Sequence, residues 1–453
     1  MPDSFEGVGE PTCLLIVSRW LNKGIDAIFA AVKFINRNAC GVNFIRQQGG
    51  YMRIRALALG ITLVSSVAST QVLAGQGVPI GPGARFESSV QAHFLSTDNY
   101  YRTNGNEVDA TAFVLLPTLG ISYAPTDGLF NLLYSGELGE VDTASQDDYL
   151  DHRLAFTGSM RPYVKHAFDF GAAYIKGHDD IGTVRTGGQR RVDDRDMDEW
   201  NSATGSIKYT YGAPTAKLNW FIFGNLFDRE YTTNEFDPIN PATGTRFLSR
   251  SQNGVGTGLT YKLTPKSKLM FNVEHVEIDY DTDLDPSLDG TLDRALLGLR
   301  WLAAAKTHGE LWIGAFSRDF DDSRRKEGTG GSWLAKVTWS PRTYSNISLS
   351  TGQEVEEAVL RGENFVDRRH LGLRWDYDWN VRFSTFVSGR YTRDIYEGSD
   401  REDDLNEFSI GGRFELSKYY SVGLIARSVE GDSNANFFDY DRRNLLLTLN
   451  AAY

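Results

Sequence analysis

From Phe86 to the end of the chain, segments of about ten residues alternate apolar with polar side chains, and turn signals separate them. A two-residue period is that of a β-strand with one apolar face. The terminal segment shows it clearly, because Leu445, Leu447 and Leu449 share one face while Thr448 lies on the other. Eighteen such segments can be counted, so the sequence predicts an all-β chain.

The connections between these segments alternate between short and long. Every second link is a short turn, such as Pro125–Gly128 or Thr264–Ser267, whereas the intervening links are longer and acidic, such as Asp228–Ser249. Aromatic residues stand beside the short turns, as Tyr261 and Trp339 do. This arrangement is typical of an outer-membrane barrel with periplasmic turns, extracellular loops and aromatic girdles.

The sequence therefore predicts a transmembrane antiparallel up-and-down β-barrel of about 18 strands in the outer membrane of a Gram-negative bacterium. Lipid offers no hydrogen-bond partners, so only a closed sheet satisfies the strand backbone there. Such a barrel is too wide for side chains to fill, and an aqueous lumen is expected unless loops plug it. The strand period slips by one residue near His275 and Trp312, where a β-bulge is expected.

The terminal strand allows a test of the two faces. If Leu447 faces the middle of the membrane, replacing it by arginine should cost roughly 2–4 kcal/mol. Thr448 lies on the opposite face, and its replacement by arginine is expected to be mild.

The first 85 residues divide into three segments. Residues 52–74 have the layout of a secretory signal, with Arg53 and Arg55 before an apolar run and a cleavage site after Ala74. A single membrane anchor is the alternative for this run. Residues 1–51 are then expected to be an upstream extension that is not part of the mature protein, with translation starting at Met52. A genuine N-terminal extension is the alternative. Residues 75–85 are expected to be a periplasmic segment and residues 86–453 the barrel.

Charge and cysteine content exclude several classes. Of the 47 Lys/Arg and 59 Asp/Glu residues, seven and four lie in residues 1–74, which leaves the mature chain a charge of −15 and argues against a nucleic-acid partner. Both cysteines, Cys13 and Cys40, precede the barrel, so it has neither disulfides nor cysteine metal sites.

If the apolar faces point to lipid, the opposite faces line the lumen. The basic candidates for this lining are Arg294, Arg300, Arg374, Arg382, Arg390, Arg413 and Arg427. Guanidinium groups on neighbouring strands could guide an anion, because they bind carboxylate or phosphate in a fixed fork. The alternative is that arginines and carboxylates pair across the wall and only stiffen it.

Motifs of catalysis or metal binding are absent from the sequence. None of the seven histidines lies in an HExxH motif, and no GxSxG elbow accompanies them. Asp151-His152 is the best candidate pair, but no nucleophile goes with it, and His152 is expected at an extracellular strand end bonded to a loop. Asp279 to Asp285 have the alternating spacing of a calcium loop, yet Leu284 stands where that loop needs glycine. The chain is predicted not to be an enzyme and to use no cofactor.

Four short motifs carry a family resemblance. They are Asn99–Arg102, Leu116–Leu119, Asp148–Arg153 and His178–Thr183. Residues 99–183 resemble a family of outer-membrane β-barrel porins often found with exopolysaccharide biosynthesis clusters, and the resemblance continues more weakly, as strand rhythm, to Tyr453. It implies a porin-like conduit linked to exopolysaccharide export. It also implies outer-membrane lipid, an acidic polysaccharide and periplasmic export proteins as partners.

Two other functions fit the same barrel. A general diffusion porin for small solutes would carry a long loop folded inward as a constriction, for which 177–196 and 228–249 are candidates. A structural outer-membrane protein without transport would have a blocked lumen.

Overall fold

The computed structural model describes residues 77–453 except 143–144, 181–196, 236–243, 283, 303–305, 359, 361 and 453. The predicted upstream extension (1–51) and signal segment (52–74) lie outside the described residues. No helix within the described ranges is long and apolar enough to cross a membrane.

The described chain is built almost wholly from antiparallel strands. The strands are β1 Val78–Gly81, β2 Ala84–Thr97, β3 Ala110–Tyr123, β4 Gly128–Val141, β5 Tyr149–Tyr163, β6 His166–His178, β7 Glu199–Tyr211, β8 Leu218–Tyr231, β9 Arg250–Thr264, β10 Ser267–Tyr280, β11 Gly290–Trp301, β12 Thr307–Phe320, β13 Gly328–Arg342, β14 Ser345–Glu357, β15 Phe365–Asp378, β16 Phe383–Glu397, β17 Glu402–Glu415, β18 Tyr420–Ser433 and β19 Tyr440–Ala452. Short 3-10 turns lie at Ser145–Asp147, Arg246–Leu248 and Asn436–Phe438.

The sheet closes on itself. Each strand from β2 to β19 pairs with its chain neighbours, and β19 pairs back onto β2 from Asn444 opposite Thr97 to Ala452 opposite Ser89. The predicted closed barrel of 18 strands is therefore confirmed. The first strand, β1, is an addition to the barrel: it pairs with the start of β2, where β19 leaves that edge unpaired.

The predicted alternation of turns and loops is also present. The connections at one rim are short, for example 164–165 and 265–266, whereas those at the other rim include 179–198 and 232–249. One connection on the long-loop rim is shorter than expected: strands β16 and β17 extend toward each other, so only 398–401 remains between them.

The barrel strands are longer than a membrane crossing requires. They contain 12 to 15 residues, whereas about 9–11 tilted residues span the bilayer. Strand β10 shows the consequence, because the residues that are exposed and buried alternate without a break from Met270 to Tyr280. Its outer face changes from Leu269, Phe271 and Val273 to His275, and its inner face becomes apolar.

The predicted bulges are wrong. The register of β10 with β9 is unbroken from Lys268 to Tyr280, and that of β12 with β11 is unbroken throughout. Near His275 the outer face leaves the apolar band and becomes polar, so the polarity inverts while the strand continues. Near Trp312 the cause is an inward apolar side chain: Trp312 is only 4% exposed and covers Gly298, where a Cβ atom would lie 2.5 Å from the indole Cε3.

The terminal strand takes the predicted place. It lies between β18 and β2, and Leu445, Leu447 and Leu449 are exposed on its outer face. The expectation of a mild Thr448→Arg substitution stays a prediction, and the burial of Thr448 argues against it: the side chain is 4% exposed on the inner face, opposite Gly423.

Candidate functional site

The inner face of the barrel carries ion pairs between predicted lumen arginines and carboxylates. Arg300 Nε donates to Glu310 Oε2 at 2.6 Å across the β11–β12 pair. Arg374 makes three hydrogen bonds to Asp376, at 2.7 to 3.0 Å. Arg413 lies 2.7 Å from Glu415 and Arg427 pairs with Glu407.

The three other predicted arginines differ from these. Arg294 and Arg390 lie on strands with their side chains on the inner face, and neither has an ion pair with a described carboxylate. Arg382 lies in the turn 379–382 between β15 and β16, so it is outside the strand wall. Whether these residues guide a solute stays a prediction.

Further pairs stiffen the upper part of the wall. Arg368 contacts Glu356 at 2.7 Å and Asp394 at 2.6 Å, which joins β14, β15 and β16. The paired-wall alternative therefore describes much of the inner face. The sequence contains a signal for it, because residues two apart on a strand share a face, and Arg374-x-Asp376 and Arg413-x-Glu415 have that spacing.

A packed apolar core fills part of the barrel at the loop end. Its members come from the inner faces of the upper strand halves and from the loops between strands, and they share nearly complete burial. They are Trp200, Tyr231, Phe247, Leu248, Val276, Ile278, Tyr280, Leu284, Leu288, Leu292, Phe316, Ala358 and Phe365. We call this set the mouth core. The mouth core explains why the inner faces of the strands are apolar near the loops, where the outer faces have already become polar.

Two loops supply the large side chains of the inserted part of the mouth core, and Ala358, from the connection after β14, is also a member. Phe247 and Leu248 belong to the loop 232–249, and Leu284 and Leu288 belong to the loop 281–289. The first of these loops is one that the sequence proposed as an inward constriction. A loop buried against inward strand residues narrows the lumen at its extracellular end.

Two buried arginines hold the second of these loops, 281–289. Arg318 is fully buried, and its guanidinium donates to Leu288 O at 2.8 Å and to Glu357 Oε2 at 3.2 Å. Tyr280 OH donates to the same Glu357 oxygen at 2.8 Å. Arg325 donates to Pro286 O at 2.8 Å from one amino group and to Glu363 O at 2.8 Å from the other. Charge-assisted bonds of this kind stabilise the inward loop conformation.

The start of the long loop 179–198 also turns inward. Asp179 accepts hydrogen bonds from Trp200 Nε1 and Tyr231 OH, both at 3.0 Å. The next residue, Asp180, accepts a bond of 2.8 Å from Arg102 in the loop between β2 and β3. Most of this second predicted constriction lies outside the described residues.

The candidate catalytic pair does not form. Asp151 Oδ1 contacts His178 Nδ1 at 3.0 Å, whereas His152 Nδ1 contacts Tyr134 OH at 2.9 Å. His152 does lie near the loop end of β5, but its partner is on the neighbouring strand β4 and not in a loop. In the acidic segment, Asp285 pairs with Arg324 of the next loop.

Comparisons with known proteins agree with the barrel. Residues 243–453 match a family model described as "Putative beta-barrel porin 2". The match agrees with the predicted porin family over the C-terminal part of the chain, and it does not extend over residues 99–183. The exopolysaccharide association stays a prediction. No curated protein sequence matches the chain.

Several solved structures are similar in fold. OccK3 (OpdO) of Pseudomonas aeruginosa is 16% identical, with 81% of this chain and 95% of that chain covered and a TM-score of 0.44. OccK2 (OpdF) of the same organism, solved in complex with glucuronate, is 12% identical over 82% and 98% of the two chains, with a TM-score of 0.46. OccAB4 of Acinetobacter baumannii is 11% identical over 82% and 99%, with a TM-score of 0.44.

The closed sheet, the alternating turns and loops and the family match lead to one conclusion. The protein is a closed 18-strand β-barrel of the outer membrane of a Gram-negative bacterium, and its C-terminal part matches a porin family.

Proposed function

We propose that the protein is a diffusion channel for small solutes, with an extracellular mouth that is narrowed by inward-folded loops. The observation that carries this proposal is the mouth core. Phe247 and Leu248, from one loop, and Leu288, from another, are buried against the inner faces of β10 to β12. An inward loop of this kind restricts the size of a solute without closing the whole barrel.

The lower part of the lumen supports passage of water and small solutes. Lys268, Lys336 and Arg390 point to the inner face, and each is exposed to solvent. The charged ends of lysine and arginine side chains on an inner wall need to be hydrated, so water must fill the lumen beside them. This water-filled space favours a channel over a structural barrel with a blocked lumen.

The mouth core favours small solutes over a polymer. A polysaccharide chain must pass the extracellular end, where the loop 281–289, held by Arg318 and Arg325, is packed into the barrel. Widening the mouth at this loop for a polymer would require these buried bonds to break. Exopolysaccharide export therefore remains the second prediction, and the same experiments test it.

Liposome swelling with sugars of increasing size is the direct test. Purified protein in vesicles should admit pentoses and hexoses, and the swelling rate should fall steeply from disaccharides to hexasaccharides. In planar bilayers, the protein should give discrete conductance steps. Replacing both Phe247 and Leu248 by alanine should raise the conductance, because their burial holds the loop inward.

A matched control is the double replacement of Leu371 and Leu373 by alanine, on the outer face of β15. It removes similar apolar volume away from the lumen and should leave the conductance unchanged. A barrel that folds but is silent would refute the channel. Entry of hexasaccharides as fast as of hexoses, or a current blocked by an acidic polysaccharide, would favour the polymer conduit.

A further inference from the structure

We infer that the channel prefers small anions bearing a carboxylate or a phosphate, because one row of directly opposed inward side chains carries cations along the full height of the wall. The inference rests on the proposed function and names its solute class. The cations are Lys262, Lys268, Arg300, Lys336, Arg390 and Arg442. We call this set the basic row.

The row begins with three adjacent cations. Lys262 on β9 lies opposite Lys268 on β10, and Lys268 lies opposite Arg300 on β11. Directly opposed residues on one face of an antiparallel pair have Cβ atoms about 4.5–5.5 Å apart. Like charges in that position destabilise a sheet, so three in succession favour a role beyond folding.

The register continues the row around the barrel. Glu310 on β12 separates Arg300 from Lys336 on β13. Two small residues on β14 and β15, Ser350 and Gly372, then lead from Lys336 to Arg390 on β16.

The last steps bring the row to its upper end. Glu407 lies opposite Arg390, Val429 lies opposite Glu407, and Arg442 on β19 lies opposite Val429. Each step crosses one strand spacing of about 4.8 Å.

The two ends of the basic row lie at opposite rims. Lys262 is two residues from the turn end of β9, and Arg442 is two residues from the loop end of β19. Barrel strands tilt by about 35–45°, so a row of opposed residues climbs the wall as it passes from strand to strand. The basic row therefore connects the periplasmic rim with the extracellular mouth.

The row carries an excess of positive charge. Its two carboxylates are engaged, because Glu310 binds Arg300 and Glu407 binds Arg427, which is outside the row. Among the described residues, none of the other five cations has an ion pair with a carboxylate. This distinguishes the row from arginines such as Arg368 and Arg374, whose charges are compensated.

The chemistry of these groups defines the solute. Ammonium and guanidinium groups bind carboxylate and phosphate oxygens through charge-assisted hydrogen bonds. Successive cations, of which Lys268, Lys336 and Arg390 are exposed, let an anion exchange one partner for the next, so it gains attraction along the path without a single tight site. The net charge of the whole chain, −12, is acidic and does not predict this preference.

The test is the reversal potential of single channels under a KCl gradient. We expect the wild type to favour chloride over potassium. The double variant Lys268→Glu and Lys336→Glu should lower the chloride-to-potassium permeability ratio severalfold, because it reverses two exposed cations of the row. Lys268→Glu places its carboxylate between Lys262 and Arg300, which should preserve folding.

A second double variant, Lys266→Glu and Lys306→Glu, is the matched control. It makes the same change of charge at exposed residues in the periplasmic turns, outside the strands. Its effect on the permeability ratio should be much smaller. Ser350→Arg, which fills a gap between Lys336 and Arg390, should raise the ratio. Benzoate and phosphate as the sole anions should also carry current in the wild type.

The outcomes separate the two proposals. A folded wild-type barrel without conductance refutes the channel itself. A conducting channel that favours potassium, or one in which both double variants shift the ratio equally, refutes the basic row and leaves the diffusion channel intact. Screening gives a further check, because the anion preference should weaken from 0.1 M to 1 M salt, as the Debye length falls from about 10 to 3 Å.

Discussion

The assignment of lipid and lumen faces is tested most sharply by two neighbouring residues of β14. Leu349 is 40% exposed on the outer face, opposite Val337 and Leu373, and no charged group faces it there. It lies four residues above Ser345, the start of the strand. At about 3.4 Å per residue and a tilt near 40°, this is about 10 Å along the membrane normal, near the middle of an apolar band about 25 Å tall.

Leu349→Arg should therefore reduce the free energy of unfolding by roughly 2–4 kcal/mol, the cost of an arginine facing lipid near the midplane. Ser350→Arg places the same side chain at almost the same height on the inner face, opposite Lys336 and Gly372. Its cost should stay below about 1 kcal/mol, which is the range for like charges on opposed strands.

Equilibrium unfolding in urea, with the protein in lipid vesicles and tryptophan fluorescence as the signal, measures both variants. The folded fraction can be checked by the shift of an unheated sample on a gel. Equal losses at Leu349 and Ser350 would refute the face assignment, and a larger loss at Ser350 would reverse it. Leu349 and Ser350 make a better pair than Leu447 and Thr448, because Thr448 is only 4% exposed whereas Ser350 is half-buried.

Two further predictions concern the loops. Glu357→Leu should reduce the free energy of unfolding by about 3–5 kcal/mol, because it leaves the buried charge of Arg318 without its carboxylate partner. The added change Arg318→Met should recover much of this loss in the same unfolding assay. Arg324 hydrogen bonds lower the pKa of Asp322, so the stabilising contribution of the ionised carboxylate is present above its ordinary pKa of about 3.9 and is lost as pH falls through the lower folded-state value. The stability difference between the wild type and Asp322→Asn should thus be constant from about pH 7 to 5 and shrink below about 4, and a change between pH 7 and 5 would contradict the sign.

Strand number and order could be predicted from the sequence because both depend on local signals. A two-residue period identifies a strand in isolation, and turn residues mark its ends. Each of the eighteen predicted segments corresponds to one barrel strand, including the terminal one. The ends were less accurate, since Arg382, which was expected to line the lumen, belongs to a turn and not to β16.

The mouth core could not be predicted because its partners are distant in sequence. Val276 and Ile278 on β10 pack with Phe247 from the preceding loop and Leu288 from the next one. In the sequence, the apolar residues of this segment alternate in the opposite phase to those at the start of the strand. A β-bulge would produce the same pattern. Only the unbroken pairing of β10 with both neighbours distinguishes a polarity inversion from a bulge.

The basic row was missed for a related reason. Sequence alternation assigns Lys268 and Lys336 to a face, but it does not give the offset between strands. That offset places Lys262, Lys268 and Arg300 opposite one another. The arginines named from the sequence were chosen by residue type and by strand face. The charges of several of them are compensated by carboxylates two positions away, as Arg374 is by Asp376.

The mouth core and the basic row occupy different parts of the barrel, and this separates size selection from charge selection. On β10, Lys268 and Val276, the lowest core residue of that strand, are eight residues apart, so the row passes roughly 20 Å below the core, at about 3.4 Å per residue and a tilt near 40°. The row reaches the mouth only on β16 to β19, and no described member of the core lies on those strands. A solute that follows the row therefore meets the mouth beside the mouth core, at Arg442, and not beneath it. Loosening the loops should consequently change how large a solute can pass, while the row continues to decide its charge.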